Sequence, residues 1–441
     1  MMSLMASEET RTVETRTEMS PTERGRTAAT STPRTTPGAG RTRAWATRLV
    51  VVGIVLSALN LRPAITSLGA LLEEVRDGLG MSGSVAGLLT SVPPLCFAVF
   101  GVTAPRLARR FGPAAVVCAG MAAITAGLLI RPYVGNTAGF LAASALALMG
   151  IAVSNVLMPV IVKQWFPDRV GSMTGLYSMA LALGTSLAAA VTVPLTDALG
   201  GSWQSGLAVW AAVAAAAVLP WLPLVRDRGP AARPQAPARG ATQQHTPLRM
   251  TRSRTAWALA VFFGLQATAA YITMGWMPQI FRDAGVPAGT AGVLLAVTMV
   301  MGVPLAFVIP RVATRLPHQG PIVLVLGACG LAGYAGLYFA PAGGAWVWAV
   351  LLGVSNCAFP LALTLVGMRA RSGPGVAQLS AFAQSTGYLI SIPGPLLVGV
   401  LYQQSGGWGL PIALMAALMV PQMVVGFLAG RDRTIEDETT R

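Results

Sequence analysis

A single arginine lies in the middle of an otherwise uncharged stretch near the start of the chain. Arg62 is the one charged residue between positions 49 and 72, in the segment LSALNLRPAIT. At about 1.5 Å per residue, a helix over this stretch would cross a hydrocarbon core of about 30 Å. Placing a charged side chain at the membrane centre costs from about 3 to more than 10 kcal/mol. Such a residue is therefore expected by default to have a function. The planar guanidinium of Arg62 would donate hydrogen bonds to an anion. Alternatively, Arg62 has a structural role, and carbonyls and amides of neighbouring helices hold its side chain.

Other polar side chains inside apolar segments are candidates for the same site. Arg62 and Thr66 are four residues apart and share a helix face, whereas Asn60 would point elsewhere and brace a neighbouring helix. Together with a guanidinium, amides and phenols suit a small planar anion or a polar heteroaromatic solute. The alternative for each amide is an interhelical hydrogen bond, worth about 0.6 kcal/mol on average. The further substrate-binding candidates are Asn155, Asn356, Gln266, Tyr271, Gln384 and Tyr388.

Acidic and imidazole groups are missing from the apolar segments, which limits the chemistry. No Asp, Glu or His lies deep in one, and the four cysteines lack metal-ligand spacing, so no metal or cofactor is expected. A proton-coupled carrier commonly uses a buried titratable relay. Three modes of transport stay open: uniport, coupling through the charge of the substrate, and coupling to a proton or ion near a span end. Arg131, at the end of an apolar segment, is expected to snorkel to the membrane boundary.

The composition places these residues in a membrane. Hydrophobic residues make up 54% of the chain and charged residues only 11%. Residues 319–368 and 372–430 contain no Asp, Glu, Lys or Arg, and each stretch is long enough for two helical spans. The net charge of +15 is concentrated in the N-terminal tail, one central loop and short loops, so nucleic acid is not an expected partner. The prediction is an all-α polytopic membrane protein in the lipid bilayer.

Twelve spans in two pseudo-symmetric six-helix bundles are predicted, the sixth over 204–224. The divisions are a disordered cytosolic tail over 1–44, bundles over 45–224 and 257–430, a cytosolic linker over 225–256 and a tail over 431–441. Basic residues favour the cytosolic side of a membrane, and loops on the other side would carry only Arg76, Arg131 and Arg282. Both termini are therefore expected in the cytosol of a cell whose cytoplasmic membrane the chain spans.

The two halves contain matching segments in the same order. Residues 86–92 (AGLLTSV) match 291–297 (AGVLLAV), and 105–110 (PRLARR) match 310–315 (PRVATR), both at an offset of 205 (86 to 291, 105 to 310). Ser154-Asn155 with Pro159 recurs as Ser355-Asn356 with Pro360. Duplicated halves joined by a linker are typical of alternating access, in which two bundles rock around a site at mid-membrane.

From position 45 to 430 the chain resembles the major facilitator superfamily. Residues 101–112 (GVTAPRLARRFG) resemble its loop between spans two and three, although Pro105 replaces the usual Asp, so a carboxylate latch is not expected there. The resemblance implies that spans 1, 4, 7 and 10 line the cavity and that arginines of this loop and of its repeat take part in conformational change. Those arginines are Arg106, Arg109, Arg110, Arg311 and Arg315.

Two further motifs resemble the cyanate permease and 2-nitroimidazole transporter family. They are residues 60–65 (NLRPAI) in the first span and 165–178 (WFPDRVGSMTGLYS) in the fourth loop and fifth span. The resemblance implies a monomeric secondary active or facilitative carrier of a small polar or anionic solute, not an enzyme, with Arg62 as the binding cation. Drug or metabolite efflux is the close alternative. A membrane-embedded enzyme that uses the polar helix residues is the alternative from another class.

Overall fold

The computed structural model describes residues 37–226 and 250–439, and within these ranges the secondary structure is helical with no strand. The chain divides into two units, Met1–Ala44 and Trp45–Arg441, and the second contains the spans. Most of the predicted tail and linker lies outside the described residues. The first helix nevertheless begins at Pro37, inside the region predicted as a disordered tail.

Residues 37–226 form nine α-helices of the first half, with the first span divided between α1 and α2. They are α1 (Pro37–Asn60), α2 (Pro63–Ala70), α3 (Leu72–Leu79), α4 (Gly83–Phe111), α5 (Pro113–Ile130), α6 (Thr137–Trp165), α7 (Val170–Ala198), α8 (Trp203–Val218) and α9 (Trp221–Arg226).

Residues 250–439 form ten α-helices of the second half, in which the eighth, tenth and eleventh spans are each divided in two. They are α10 (Arg254–Asp283), α11 (Ala288–Val300), α12 (Gly302–Ala313), α13 (Gly320–Phe339), α14 (Ala345–Asn356), α15 (Ala358–Met368), α16 (Gly373–Ser391), α17 (Pro393–Ser405), α18 (Gly409–Ala429) and α19 (Ile435–Thr439).

Eleven helical stretches of the described residues are long and apolar enough to cross a membrane. The expected sixth span is shorter: α8 has 16 residues, and a turn at Leu219 and Pro220 separates it from α9. Proline cannot supply the backbone N–H that would continue the helix. Large apolar side chains such as Leu129, Val325 and Phe339 are exposed on the outside of the bundle, as a lipid-facing surface requires. The chain is a polytopic membrane protein.

The sequence repeat has a counterpart in the packing. In the first half, Gly120 of α5 faces the Ser154 hydroxyl of α6, which would lie 2.5 Å from a Cβ at the glycine. In the second half, Gly330 of α13 faces the Ser355 hydroxyl of α14 at the same distance. Small residues allow two membrane helices to approach closely. The matching serines therefore mark the same helix contact in both halves.

The halves meet tightly at one end of the bundle. The basic end is defined as the end that carries Arg106–Arg110 and Arg311–Arg315, and the opposite end as the end that carries Glu73, Glu74 and Arg282. Near the opposite end α4 packs on α17, and α7 packs on α11. Backbone meets backbone there, since a Cβ on Gly399 would lie 2.7 Å from the Cα of Gly87. The opposite end is closed.

At the basic end, the short C-terminal helix α19 docks on the start of α10. The Glu438 carboxylate accepts hydrogen bonds from the Ser253 hydroxyl at 2.6 Å and from the Thr255 amide and hydroxyl at 3.1 and 2.8 Å. Burial alone would raise the pKa of Glu438, but these hydrogen bonds outweigh it and lower the pKa below its ordinary value of 4.5. The carboxylate thus satisfies free donors of a helix N-terminus.

We expect Glu438→Gln to loosen α19 at neutral pH. Because the pKa is lower in the folded protein, the contribution is complete above about pH 4.5 and is lost as the pH falls through the folded value. Hydrogen exchange of α19 amides should accelerate about fivefold in the variant, equivalent to about 1 kcal/mol. Asp432→Asn is the matched control, because that side chain is 85% exposed. Equal exchange in both variants would contradict the role of Glu438.

Candidate substrate-binding site

The first span breaks at the predicted site. Helix α1 ends at Asn60, Leu61 and Arg62 form a turn, and α2 begins at Pro63. Proline lacks the N–H that would bond to the carbonyl of Leu59, and that carbonyl packs against Gly184 of α7 instead. Arg62 has φ −125° and ψ −27°, outside helical geometry. The break therefore turns its side chain out of the regular helix face.

The Arg62 guanidinium is surrounded by phenols. Tyr177 of α7, Tyr271 of α10 and Tyr388 of α16 all lie within electrostatic range of it. Tyr271 is the neighbour nearest to hydrogen-bonding contact, yet its hydroxyl is buried and completes no bond of good geometry. No carboxylate in the described ranges forms an ion pair with Arg62. Within the described residues the cation thus has no carboxylate partner, and it faces groups from both halves of the chain.

Asn155 joins this group through one tyrosine. The Tyr177 hydroxyl donates to the side-chain oxygen of Asn155. The Tyr388 ring stacks on Phe97 of α4, with centroids 5.0 Å apart and planes at 22°, and meets Phe263 edge-on at 5.2 Å. These contacts hold two of the phenols beside Arg62. We call Arg62, Asn155, Tyr177, Tyr271 and Tyr388 the Arg62 cluster.

Two other predicted amides pair with each other inside the second half. Gln266 donates to the side-chain and backbone oxygens of Asn356 at 2.8 and 3.0 Å, and Gln422 donates to Gln266 at 2.9 Å. Gln384 donates to the Ser380 hydroxyl at 2.7 Å, one turn earlier in α16. All of these hydrogen bonds are made within the second half. A role of Gln266, Asn356 and Gln384 in substrate binding stays a prediction.

The two neighbours of Arg62 in the sequence also have local partners. Asn60 is buried and donates to the carbonyls of Leu56 and Val213 at 2.8 and 3.1 Å, so its amide braces α8. The Thr66 hydroxyl donates to the backbone carbonyl of Arg62 at 3.2 Å. The structure therefore does not bring either side chain into the Arg62 cluster, and their roles in binding remain predictions.

Arg131 is placed differently from the expectation. It does not snorkel to a boundary: the side chain is 2% exposed and donates to the Ala64 carbonyl of α2 at 3.0 Å. It also approaches the Ser67 hydroxyl at 3.5 Å and the Phe140 ring at 5.9 Å. The described spans therefore contain another arginine besides Arg62, and this one is buried. Its position at the end of an apolar segment gave no sign of this, because the acceptor belongs to another helix.

Charged residues join the halves at the opposite end. Arg282 of α10 bonds to Glu73 at 2.8 Å and to Glu74 at 2.9 Å, both on α3. Asp283 accepts from the Tyr402 hydroxyl at 2.9 Å and from the Trp408 ring nitrogen at 2.7 Å. These contacts tie α3 of the first half to α10 and, within the second half, tie the end of α10 to Tyr402 and Trp408. The predicted conformational arginines are exposed at the basic end: Arg106, Arg109, Arg110, Arg311 and Arg315.

Comparison with known proteins gives relatives along nearly the whole chain. The chain is 35% identical to an uncharacterised transporter, YycB, of Bacillus subtilis, and the match covers 88% of this chain and 94% of the relative. It is 32% identical to the 2-nitroimidazole transporter of Escherichia coli, over 88% and 96%. It is 31% identical to the cyanate transport protein CynX of the same organism, over 84% and 94%.

Solved structures agree on the architecture. A point mutant of the nucleoside transporter NupG superimposes with a TM-score of 0.71 at 14% identity, covering 87% of this chain and 99% of that one. A D-xylose–proton symporter gives 0.68 at 14% identity, covering 89% and 98%. The model of the Major Facilitator Superfamily matches residues 50–374. The chain therefore belongs to the major facilitator superfamily, in the family of the cyanate and 2-nitroimidazole transporters, and is a transporter of small solutes, not an enzyme.

Proposed function

We propose that the protein carries a small anion or polar heteroaromatic solute, such as cyanate or a nitroimidazole, with Arg62 as the binding cation. The observation that carries the proposal is a guanidinium at a helix break that lies near three phenols and forms an ion pair with no carboxylate in the part of the chain that the structure describes. A charge near mid-membrane without a carboxylate partner is costly, and a bound anion would reduce that cost. Phenols and the Asn155 amide would orient the solute by hydrogen bonds and ring contacts.

The site would work by alternating access across the cytoplasmic membrane. In support, the Arg62 cluster draws on both halves, and the opposite end is closed by backbone contacts and by the Arg282 ion pairs. Arg62 itself is partly exposed. If the basic end faces the cytosol, as the distribution of Arg and Lys favours, this is the state open to the cytosol. Both termini would then be cytosolic.

Coupling to protons is not required by this site. The acidic residues of the described spans sit near span ends, as Glu73, Glu74 and Asp283 do, and none pairs with Arg62. Arginine keeps its charge at any physiological pH. We therefore infer that the monomeric carrier works as a uniporter or through the charge of its substrate.

Counterflow in proteoliposomes tests the proposal. Vesicles loaded with unlabelled cyanate, nitrate, a small carboxylate or 2-nitroimidazole would be diluted into the same labelled solute. At least one of these solutes should exchange about tenfold faster than in empty vesicles. Exchange limited to large hydrophobic cations would instead identify a drug exporter and overturn the proposal. Flux that dissipates an imposed proton gradient in step with the solute would refute the uncoupled mechanism alone.

A further inference from the structure

Arg131 is a buried cation that the proposed substrate site does not use. One terminal nitrogen donates to the Ala64 carbonyl at 3.0 Å, and the other approaches the Ser67 hydroxyl at 3.5 Å. Its Nε atom is buried without a hydrogen-bond partner. No acidic side chain in the ranges 37–226 and 250–439 pairs with it. Two neutral groups of the protein therefore accept hydrogen bonds from the guanidinium, but no carboxylate of the described residues neutralises its charge.

A small cavity adjoins Arg131 between the two halves. Its polar lining includes Arg131, Ser144 of α6, Thr90 of α4 and Tyr271 of α10, among apolar residues that include Leu68 and Leu148. The space is large enough for about one water molecule. The Thr90 hydroxyl already donates to the Gly87 carbonyl at 3.0 Å and accepts from the Trp276 ring nitrogen at 3.2 Å. Thr90 therefore needs nothing from an occupant.

Three side chains that line this cavity each have a buried donor that no hydrogen bond uses. The donors are the Nε of Arg131, the hydroxyl of Ser144 and the hydroxyl of Tyr271, on side chains that are 2%, 1% and 3% exposed. Buried polar groups in proteins are normally satisfied, so three together at one cavity indicate a missing ligand. Each of the three can donate, and one carries a full positive charge.

We propose that this cavity binds one small monovalent anion, a halide or the end of a linear anion. Three unused donors on side chains that line one cavity, together with an uncompensated charge, favour an anion over water, which would leave the charge in place. Tyr271 also borders Arg62, so the cavity would be a second anion subsite beside the first. The inference thus extends the proposed function, and Arg131 provides a test that does not depend on Arg62.

Thermal unfolding of the purified full chain in nanodiscs measures the binding. Sodium chloride, bromide or cyanate would replace sodium gluconate at constant ionic strength. The Tm should rise with the anion concentration, because a ligand that binds only the folded state stabilises it. Ser144→Ala should weaken the apparent affinity about tenfold through the loss of one hydrogen bond to a charged ligand. Arg131→Gln should abolish the rise.

Ser154→Ala is the matched control. Ser154 lies on the same helix, is fully buried and also has an unpartnered hydroxyl, but it does not line the cavity. The Ser154→Ala substitution should leave the apparent affinity for the anion unchanged. The same response in chloride and gluconate would mean that the cavity holds only water, and equal effects of Ser144→Ala and Ser154→Ala would place the anion elsewhere. Either result would overturn the inference even if Arg131→Gln failed to fold.

The same titration separates this subsite from the proposed substrate site. Arg62→Gln should abolish solute exchange and keep the chloride-dependent rise in Tm. If Arg62→Gln removes that rise while Ser144→Ala keeps it, the anion binds at Arg62, and only the second subsite is refuted. A response to cyanate that is sensitive to Ser144→Ala would identify the transported anion as the occupant, and a response to chloride alone would identify an inorganic ion. Both support an anion subsite.

Discussion

Arg62→Ala should lower the rate of solute exchange at least about 100-fold while the protein still inserts into the membrane. The loss follows because hydrogen bonds to a charged group, together with the charge itself, are worth about 2–5 kcal/mol in a desolvated site. Insertion should not suffer, since removing a charge from mid-membrane saves about 3 kcal/mol. Counterflow with the solute that the wild type transports measures the loss, and the yield of folded monomer measures insertion.

Two further variants set limits on this result. Arg62→Lys keeps the charge without the planar fork, so we expect partial exchange, about a tenth of the wild-type rate. Arg109→Ala removes an arginine that is exposed at the basic end, outside the Arg62 cluster, and should leave the affinity for the solute unchanged. Normal exchange by Arg62→Ala would mean that the arginine only supports the fold, and the preference for anions would lose its basis.

Gly399→Val should stop transport by keeping the opposite end from closing. A Cβ at this position would lie 2.7 Å from the Cα and 2.9 Å from the backbone nitrogen of Gly87, and it would also clash with the Gly83 carbonyl. None of these backbone atoms can move aside without shifting α4 or α17. We expect exchange to fall about 100-fold, because a carrier held open at one end cannot complete its cycle.

Accessibility shows whether the loss has this cause. In a background without Cys96, Cys118, Cys329 and Cys357, a cysteine at the buried Thr90 would be labelled with a membrane-impermeant maleimide. Labelling should be slow in the closed wild type and about tenfold faster with Gly399→Val. Gly289→Val is the control, since a Cβ there has nothing within 4 Å. Unchanged labelling with Gly399→Val, or equal loss of transport in the control, would contradict the role of this contact.

The fold was largely predictable because lipid imposes a simple rule on composition. Charge-free runs such as 319–368 had to be spans, and repeated segments indicated two related halves. The interruptions within spans were less predictable. Whether a proline bends, breaks or spares a helix depends on neighbouring helices: Pro63 follows a break, Pro220 follows the end of α8, and Pro159 lies inside the continuous α6. Sequence alone does not contain those neighbours.

The grouping of side chains around Arg62 was predictable at its centre and less so around it, whereas their role in binding stays a prediction. Arg62 was predicted because the membrane makes a lone charge conspicuous, and Tyr271, Tyr388 and Asn155 lie near it. Tyr177 was not singled out, although it lies in the motif of the fifth span. Asn356 matches Asn155 in the repeat, yet its partner is Gln266. The two equivalent asparagines have different hydrogen-bond partners because each half surrounds them with different side chains. The spacing of residues in the sequence does not reveal those partners.

The turn at Leu61 and Arg62 has a mechanical consequence. A continuous helix resists bending because every change of angle strains several backbone bonds, whereas this turn already lacks the bond that Pro63 cannot make. The short arm beyond it, α2, is tied to Arg131 through Ala64 and packs against Met274 of α10 at Gly69. Any tilting of α2 would therefore pivot at Arg62, the residue that we propose binds the solute, so a movement of this arm would be felt directly at the proposed site.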